Sequence, residues 1–282
     1  MTILPMIRLL RPQQWLKNLM LFFPPFLGGA LLLPGAWMRG VVPFIAFCCA
    51  SSSLYLFNDI MDIPLDRAHP TKRRRPLPSG AVSLLAAGVL SLLLLLTAVR
   101  LASTVTAPFL LLLLAYLAVS WSYTLWLRAF PLFDIFCIAS GFLLRLQAGG
   151  EAFGIVVSQW LFLTVFLLAI FLCTGKRLGE KNLLGSHAGA HRKSLDAYPE
   201  GFLDGAMYMT GGAVLVTYTL YVIQHHRLIY TVPLCCFGLL RYILRVKMGK
   251  EGDPTASLLK DPILFLVGSC WVVATGWGLY GG

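Results

Sequence analysis

Residues 41–75 read VVPFIAFCCASSSLYLFNDIMDIPLDRAHPTKRRR: an uncharged apolar run from Val41 to Phe57, then Asn58, Asp59, Asp62 and Asp66, then a block of bases. The apolar part is of the length that crosses a bilayer as a helix. Its end carries the acids at the mouth of the span, and Arg67, His69, Lys72, Arg73, Arg74 and Arg75 follow at once. Carboxylates and an amide at four-residue spacing are oxygen donors for a divalent cation. The bases beside them suit a polyphosphate that such a cation would hold.

The rest of the chain repeats the apolar theme. Of its 282 residues 58% are hydrophobic and 12% charged, with a mean hydropathy of +0.77. A water-soluble domain of that composition would expose large apolar patches, so the sequence describes a polytopic membrane protein. Stretches near spanning length lie at 19–37, 41–57, 81–99, 103–122, 131–148, 156–174, 202–223, 228–244 and 261–279. They predict an all-α fold of nine transmembrane helices in a single domain over residues 1–282, because backbone groups in lipid must be satisfied within the segment. The first run follows a basic start and continues to spanning length, which predicts no cleaved signal peptide. Residues 5–18 are expected to form a short interfacial helix with Trp15 at headgroup depth.

The bases set the orientation. With the N-terminus inside, all of the 23 lysines and arginines except Arg39, Arg100, Arg145 and Arg227 fall on cytoplasmic segments, as the positive-inside rule requires. The expected location is the cell (inner) membrane. The net charge of +11 then reflects anionic headgroups and substrates, and no nucleic-acid partner is implied. Seven cysteines lie in or beside apolar runs without C-x-x-C spacing and read as small buried hydrophobes.

Asn58, Asp62 and Asp66 would form one stripe on a helix, with Asp59 turned away by roughly 100°. Pro64 is expected to kink or end that helix before Asp66. The bland alternative is a solvated helix end whose acids balance nearby bases. His187 and His191 have metal-like spacing, but a glycine-rich loop (Gly185, Gly189) favours a cytoplasmic cover over a zinc site. His225 and His226 are expected to be solvated on the outer side.

The N-D-x-x-D-x-x-x-D motif, with Arg67, His69-Pro70, Lys72 and Arg75-Pro76-Leu77-Pro78-Ser79-Gly80 after it, resembles the first signature of the UbiA-like intramembrane prenyltransferases. Where most members carry a second acidic motif, this chain has Gly175, Lys176, Arg177, Glu180 and Lys181. That element is similar to the decaprenyl-phosphate phosphoribosyltransferase branch, as are Arg11–Trp15 with Lys17-Asn18, Ser122-Tyr123, Asp134 through Arg145, Ser158-Gln159-Trp160, Arg192–Leu195, and Gly252-Asp253-Pro254 with Lys260-Asp261.

The resemblance implies nine helices around a central cavity open to the cytoplasm, and a Mg²⁺-dependent transfer of 5-phosphoribose from phosphoribosyl diphosphate to a polyprenyl phosphate. On that reading Asn58, Asp62 and Asp66 hold the metal, while Asp59 either backs a ligand or orients a ribose hydroxyl. Lys176 and Arg177 are candidates for the donor's phosphates, and Glu180 either accepts from a ribose hydroxyl or fixes Arg177. Lys72 and Arg75 are placed over the same cavity, and Lys17 at the lipid phosphate. Tyr123 either lines the cavity or anchors at the interface. Arg145, within an apolar span, needs a partner, and Asp134 three turns earlier is too far to be it. Two rivals stand beside this: a conventional prenyltransferase with an aromatic acceptor, and a lipid transporter without chemistry. Acceptor length and oligomeric state are not written in the apolar surfaces.

Overall fold

The computed structural model describes residues 3–68, 72–184, 193–224, 226–250 and 252–281, and within them every regular element is a helix. In chain order these are α1 (Ile3–Leu10), a 3₁₀ helix (Pro12–Phe22), α2 (Phe23–Leu27), α3 (Ala36–Met61), α4 (Ile63–Ala68), α5 (Leu84–Ala102), α6 (Ala107–Leu125) and α7 (Phe133–Phe153). Then come α8 (Gln159–Leu184), α9 (Lys193–Asp196), α10 (Phe202–Ile223), α11 (Val232–Lys247), α12 (Pro254–Lys260) and α13 (Pro262–Tyr280). Short 3₁₀ turns occur at Lys72–Arg74, Leu127–Ala129 and His226–Thr231.

Seven helices among the described residues are long and apolar enough to cross a membrane: α3, α5, α6, α8, α10, the segment Arg227–Lys247, and α13. The two other expected spans differ for separate reasons. The run 19–37 is not one helix: it is the end of the 3₁₀ segment, the five-residue α2, and turns at Gly29 and Gly35 with φ of 70° and 77°. Hydropathy sees only its apolar content, whereas Pro34 and the left-handed Gly29 and Gly35 interrupt the helical geometry. The run 131–148 falls in a helix, α7, which extends to Phe153 and carries Asp134, Arg145 and Glu151.

The expected interfacial helix at 5–18 is also broken. Arg11 adopts a left-handed φ of 50°, ending α1 and starting the 3₁₀ helix, and the Trp15 indole donates to Ser52 Oγ at 3.0 Å. Side-chain bonds to α3 hold this unusually long 3₁₀ segment in place, since its own backbone geometry is a poor stabiliser.

The contacts divide the chain into two compact units. The first comprises residues up to Pro25, Ala30–Thr124 and Leu144–Val156, and its core of Phe47, Ala50, Leu54, Phe109, Leu113 and Leu117 is packed by α3, α5 and α6. Small residues let helices approach closely here: Ala46, Ala50, Ala98 and Ala102 are fully buried. The second comprises Phe26–Gly29, Leu125–Leu143 and Val157 onward, and it is built around α8 and α10 with Phe171, Met207, Val214 and Tyr242 in its core. All seven cysteines are free; Cys48 and Cys173 are buried, but Cys270 on α13 is exposed rather than buried in the protein.

Candidate active site

The acidic motif keeps its helical register through the proline. The Asp62 N–H donates to the Asn58 carbonyl at 2.9 Å and the Asp66 N–H to the Asp62 carbonyl at 2.8 Å, although α3 ends at Met61 and α4 begins at Ile63. As expected, the helix bearing Asn58 ends before Asp66, and a new one, α4, takes over at Ile63. Pro64 stands in the first turn of α4, where a missing N–H costs little, so the stripe Asn58–Asp62–Asp66 survives.

Asn58 Nδ2 donates to Asp62 Oδ2 at 2.9 Å, which leaves the amide oxygen as an acceptor. Asp59 is buried and forms an ion pair with Arg11, whose guanidinium lies 5.0 Å from the Tyr55 ring centroid. Arg75 bridges two acids, with Nη1 at 2.7 Å from Asp66 Oδ2 and 3.4 Å from Asp59 Oδ1. Among the described residues no three His, Cys, Asp or Glu side chains are gathered tightly enough to hold a metal by themselves. Mg²⁺ commonly takes one or two carboxylates together with substrate phosphates and water. The hard oxygen donors of Asn58, Asp62 and Asp66 therefore fit a Mg²⁺ that shares its coordination with a phosphate.

Four other expected residues, Lys17, Lys72, Tyr123 and Arg145, belong to the same unit. Arg145 is buried, and it has partners: Nε donates to Asn18 Oδ1 and an Nη to the Tyr116 hydroxyl, both at 2.8 Å, with its guanidinium 4.4 Å from the Tyr116 ring centroid. Asn18 is fully buried and also reaches Ser51 at 3.3 Å, so Arg145 fixes the 3₁₀ segment that carries Lys17. Tyr123 is half-buried on the last turn of α6, and Lys72 is exposed.

In the second unit, neighbouring bases on α8 go to different places. Lys176 is one-third exposed and its Nζ is 2.9 Å from Asp253 Oδ2. Arg177 is 2% exposed: Nε is 2.7 Å from Asp134 Oδ2 and Nη1 2.7 Å from Glu180 Oε2. Asp134 is fully buried and also accepts from the Tyr198 hydroxyl at 2.7 Å and from Ser194 Oγ at 3.2 Å. Burial, with the bond to Asp134, pushes the Tyr198 hydroxyl well above the ordinary tyrosine range. Arg177 thus faces the protein, paired with Glu180 as well as with Asp134.

Glycine lets the loop before α12 lie against this part of α8. A Cβ at Gly252 would stand 2.5 Å from the Gly175 carbonyl oxygen, and one at Gly175 would meet the Tyr242 ring at 2.5 Å. The Tyr242 hydroxyl donates to the Gly252 carbonyl at 2.6 Å. Asp253 caps α12 while holding Lys176. Next along, Asp261 caps α13 and pairs with Arg241 and Arg245, each at 3.1 Å. Burial works to raise its pKa, but the Leu264 N–H and the two guanidiniums prevail and hold it down at about 2.

Sequence reasoning missed Arg11 as the partner of Asp59, and Asp134 and Asp253 as the partners of Arg177 and Lys176. An Asp directly before Pro254 is a helix-cap signal that was readable; the other pairings are long-range and carry no local signal. His69, His187, His191, Arg192 and His225 lie outside the described residues.

Residues 22–267 match the model of the UbiA prenyltransferase family. The chain belongs to that family. It is 32% identical to the decaprenyl-phosphate phosphoribosyltransferase of Mycolicibacterium smegmatis, over 98% of this chain and 92% of that protein. It is 33% identical to the enzyme of the same name from Corynebacterium glutamicum, over 98% of this chain and 86% of that one. Among solved structures it shares the fold of a UbiA homolog from Archaeoglobus fulgidus bound to GPP and Mg²⁺, with a TM-score of 0.77 at 19% identity over 99% of this chain and all of that one. The family and the seven apolar helices make it an integral membrane protein.

Proposed function

We propose that this protein transfers 5-phosphoribose from 5-phospho-α-D-ribose 1-diphosphate to a polyprenyl phosphate of the decaprenyl kind and releases diphosphate. The observation that carries the reading is the likeness to two phosphoribosyltransferases over 98% of the chain. The basic Lys176, standing where a conventional prenyltransferase would need further acids, supports it.

An oxygen of the acceptor phosphate attacks C1 of the ribose while the C1–O bond to diphosphate breaks, and the electron pair of that bond leaves with the diphosphate. The acceptor is already an anion, so no strong general base is needed. Mg²⁺, when bound, neutralises the charge growing on the departing diphosphate. Asn58, Asp62 and Asp66 would hold it, and Arg75 and Lys72 offer charge to the phosphates. Lys176 serves the donor's phosphates once it exchanges Asp253 for them. Arg177 positions Glu180, whose carboxylate accepts from a ribose hydroxyl. Arg145 positions the segment bearing Lys17, which meets the lipid phosphate, and Tyr123 lines the cavity. Residues 1–282 act as one domain with nine membrane passages, the N-terminus and the catalytic loops on the cytoplasmic side of the cell membrane.

Purified protein is offered labelled phosphoribosyl diphosphate with polyprenyl phosphate, and separately a prenyl diphosphate with aromatic acids. A phosphoribosyl lipid in the first reaction is the expected product. A prenylated aromatic acid in the second, or lipid translocation without diphosphate release, would replace this reading.

A further inference from the structure

Arg75 stands between two carboxylates that depend on it unequally. Asp59 has a second cation, Arg11, in its ion pair, seated by the left-handed turn at residue 11 and by the Tyr55 ring. Asp66 is 4% exposed, and among the described residues its ion pair is the one with Arg75. The Arg75 side chain is 33% exposed and reaches both acids through Nη1, so its Nε and Nη2 donors take no part in those bonds. It can leave while Asp59 keeps Arg11 as its cation, and its Nε and Nη2 form a planar fork of the kind that grips phosphate.

Mg²⁺ binds carboxylate oxygens at about 2.0–2.1 Å. On either oxygen of Asp66 it would sit within a few ångströms of the guanidinium, +2 against +1, in a partly buried place where such repulsion is weakly screened. A diphosphate removes the conflict by accepting both cations. We infer that Arg75 is the resident counter-ion of Asp66 and yields it to Mg²⁺ only when a diphosphate draws the guanidinium away, so that metal and donor load together. The inference deepens the proposed function and rests on its assignment of Asp66 to the metal.

Mn²⁺ binding to the purified, catalytically idle protein tests it by electron paramagnetic resonance, with Mn²⁺ alone and with preformed Mn²⁺-diphosphate as the two probes. Removing the competing charge in Arg75→Gln should tighten binding of Mn²⁺ alone by about tenfold and weaken binding of the Mn²⁺-diphosphate complex by about tenfold. Arg11→Gln, which removes an equal charge from Asp59 alone, should tighten Mn²⁺ binding far less. No gain for Mn²⁺ alone, no loss for the complex, or an equal gain in Arg11→Gln would each overturn the exchange. Arg75→Met serves if Arg75→Gln does not fold. Asp66→Asn separates the two levels: if it keeps wild-type affinity for the complex, the metal assignment itself fails. If affinity collapses there while Arg75→Gln changes nothing, only the role of Arg75 is lost.

Discussion

Two ion-pair clusters of similar composition do opposite things. Around Asp59 and Asp66 the cations come from outside the helix that bears the motif, and Arg75 is one-third exposed. Around Asp134 the core pair is sealed: the acid is fully buried, Arg177 is 2% exposed, and a tyrosine and a serine fill further acceptor positions. An open cluster can exchange a guanidinium for a metal or a phosphate at modest cost. A sealed one cannot, because separating a buried pair leaves an unpaired charge in a low-dielectric place. On the proposed function, charge motifs in this chain divide into machinery and architecture according to the burial of their cations, and neighbours such as Lys176, one-third exposed, and Arg177, 2% exposed, fall on different sides.

If that division holds, variants of the open cluster lose turnover while keeping their fold, and variants of the sealed cluster do the reverse. Asp66→Asn should lower kcat by about 10²–10³-fold with an unchanged melting temperature in detergent, since it removes charge where the leaving group is stabilised. Asp134→Ala should destabilise the fold by about 3–5 kcal/mol, read from thermal or denaturant unfolding, because Arg177 loses the buried one of its two carboxylates and Tyr198 and Ser194 lose their acceptor. A melting temperature equal to the wild type would erase the contrast. Lys176→Ala should raise the donor KM by about 10–100-fold, the loss of one charge-assisted hydrogen bond, with little change in kcat. An unchanged donor KM would move the phosphate contact elsewhere.

The smallest effect lies at Asp261. Its carboxyl is held at about 2 against an ordinary 3.8. A lowered folded-state pKa contributes stability that is full above pH 3.8 and fades as pH falls towards 2. Asp261→Asn should therefore be less stable than wild type at neutral pH, and the gap should narrow on acidification through that window. A gap that stays constant would show the capping bonds, not the charge, to be what matters.

How much of this could be read in advance follows from range. The apolar runs 41–57, 202–223 and 261–279 were legible because length and hydropathy are local properties, and each is a long helix. The run 19–37 misled because Pro34, Gly29 and Gly35 weigh little in an average but decide the backbone. The stripe Asn58–Asp62–Asp66 was legible as a four-residue period, and it survives Pro64 since proline is harmless in a first helical turn. Arg145 was rightly expected to need a partner. That the partners are Asn18, 127 positions away, and Tyr116 follows only from tertiary packing. Arg177 was read from its sign alone, and its burial against Asp134, 43 positions away, is likewise invisible in one dimension.

The most direct test of the central claim is diphosphate release from phosphoribosyl diphosphate, measured against Mg²⁺ concentration with polyprenyl phosphate present, for wild type and Asp62→Ala. The account predicts one diphosphate per phosphoribosyl lipid formed, no release without divalent metal, and none above background from Asp62→Ala although the variant is folded. Release at the wild-type rate from that variant, or without any divalent cation, would contradict it.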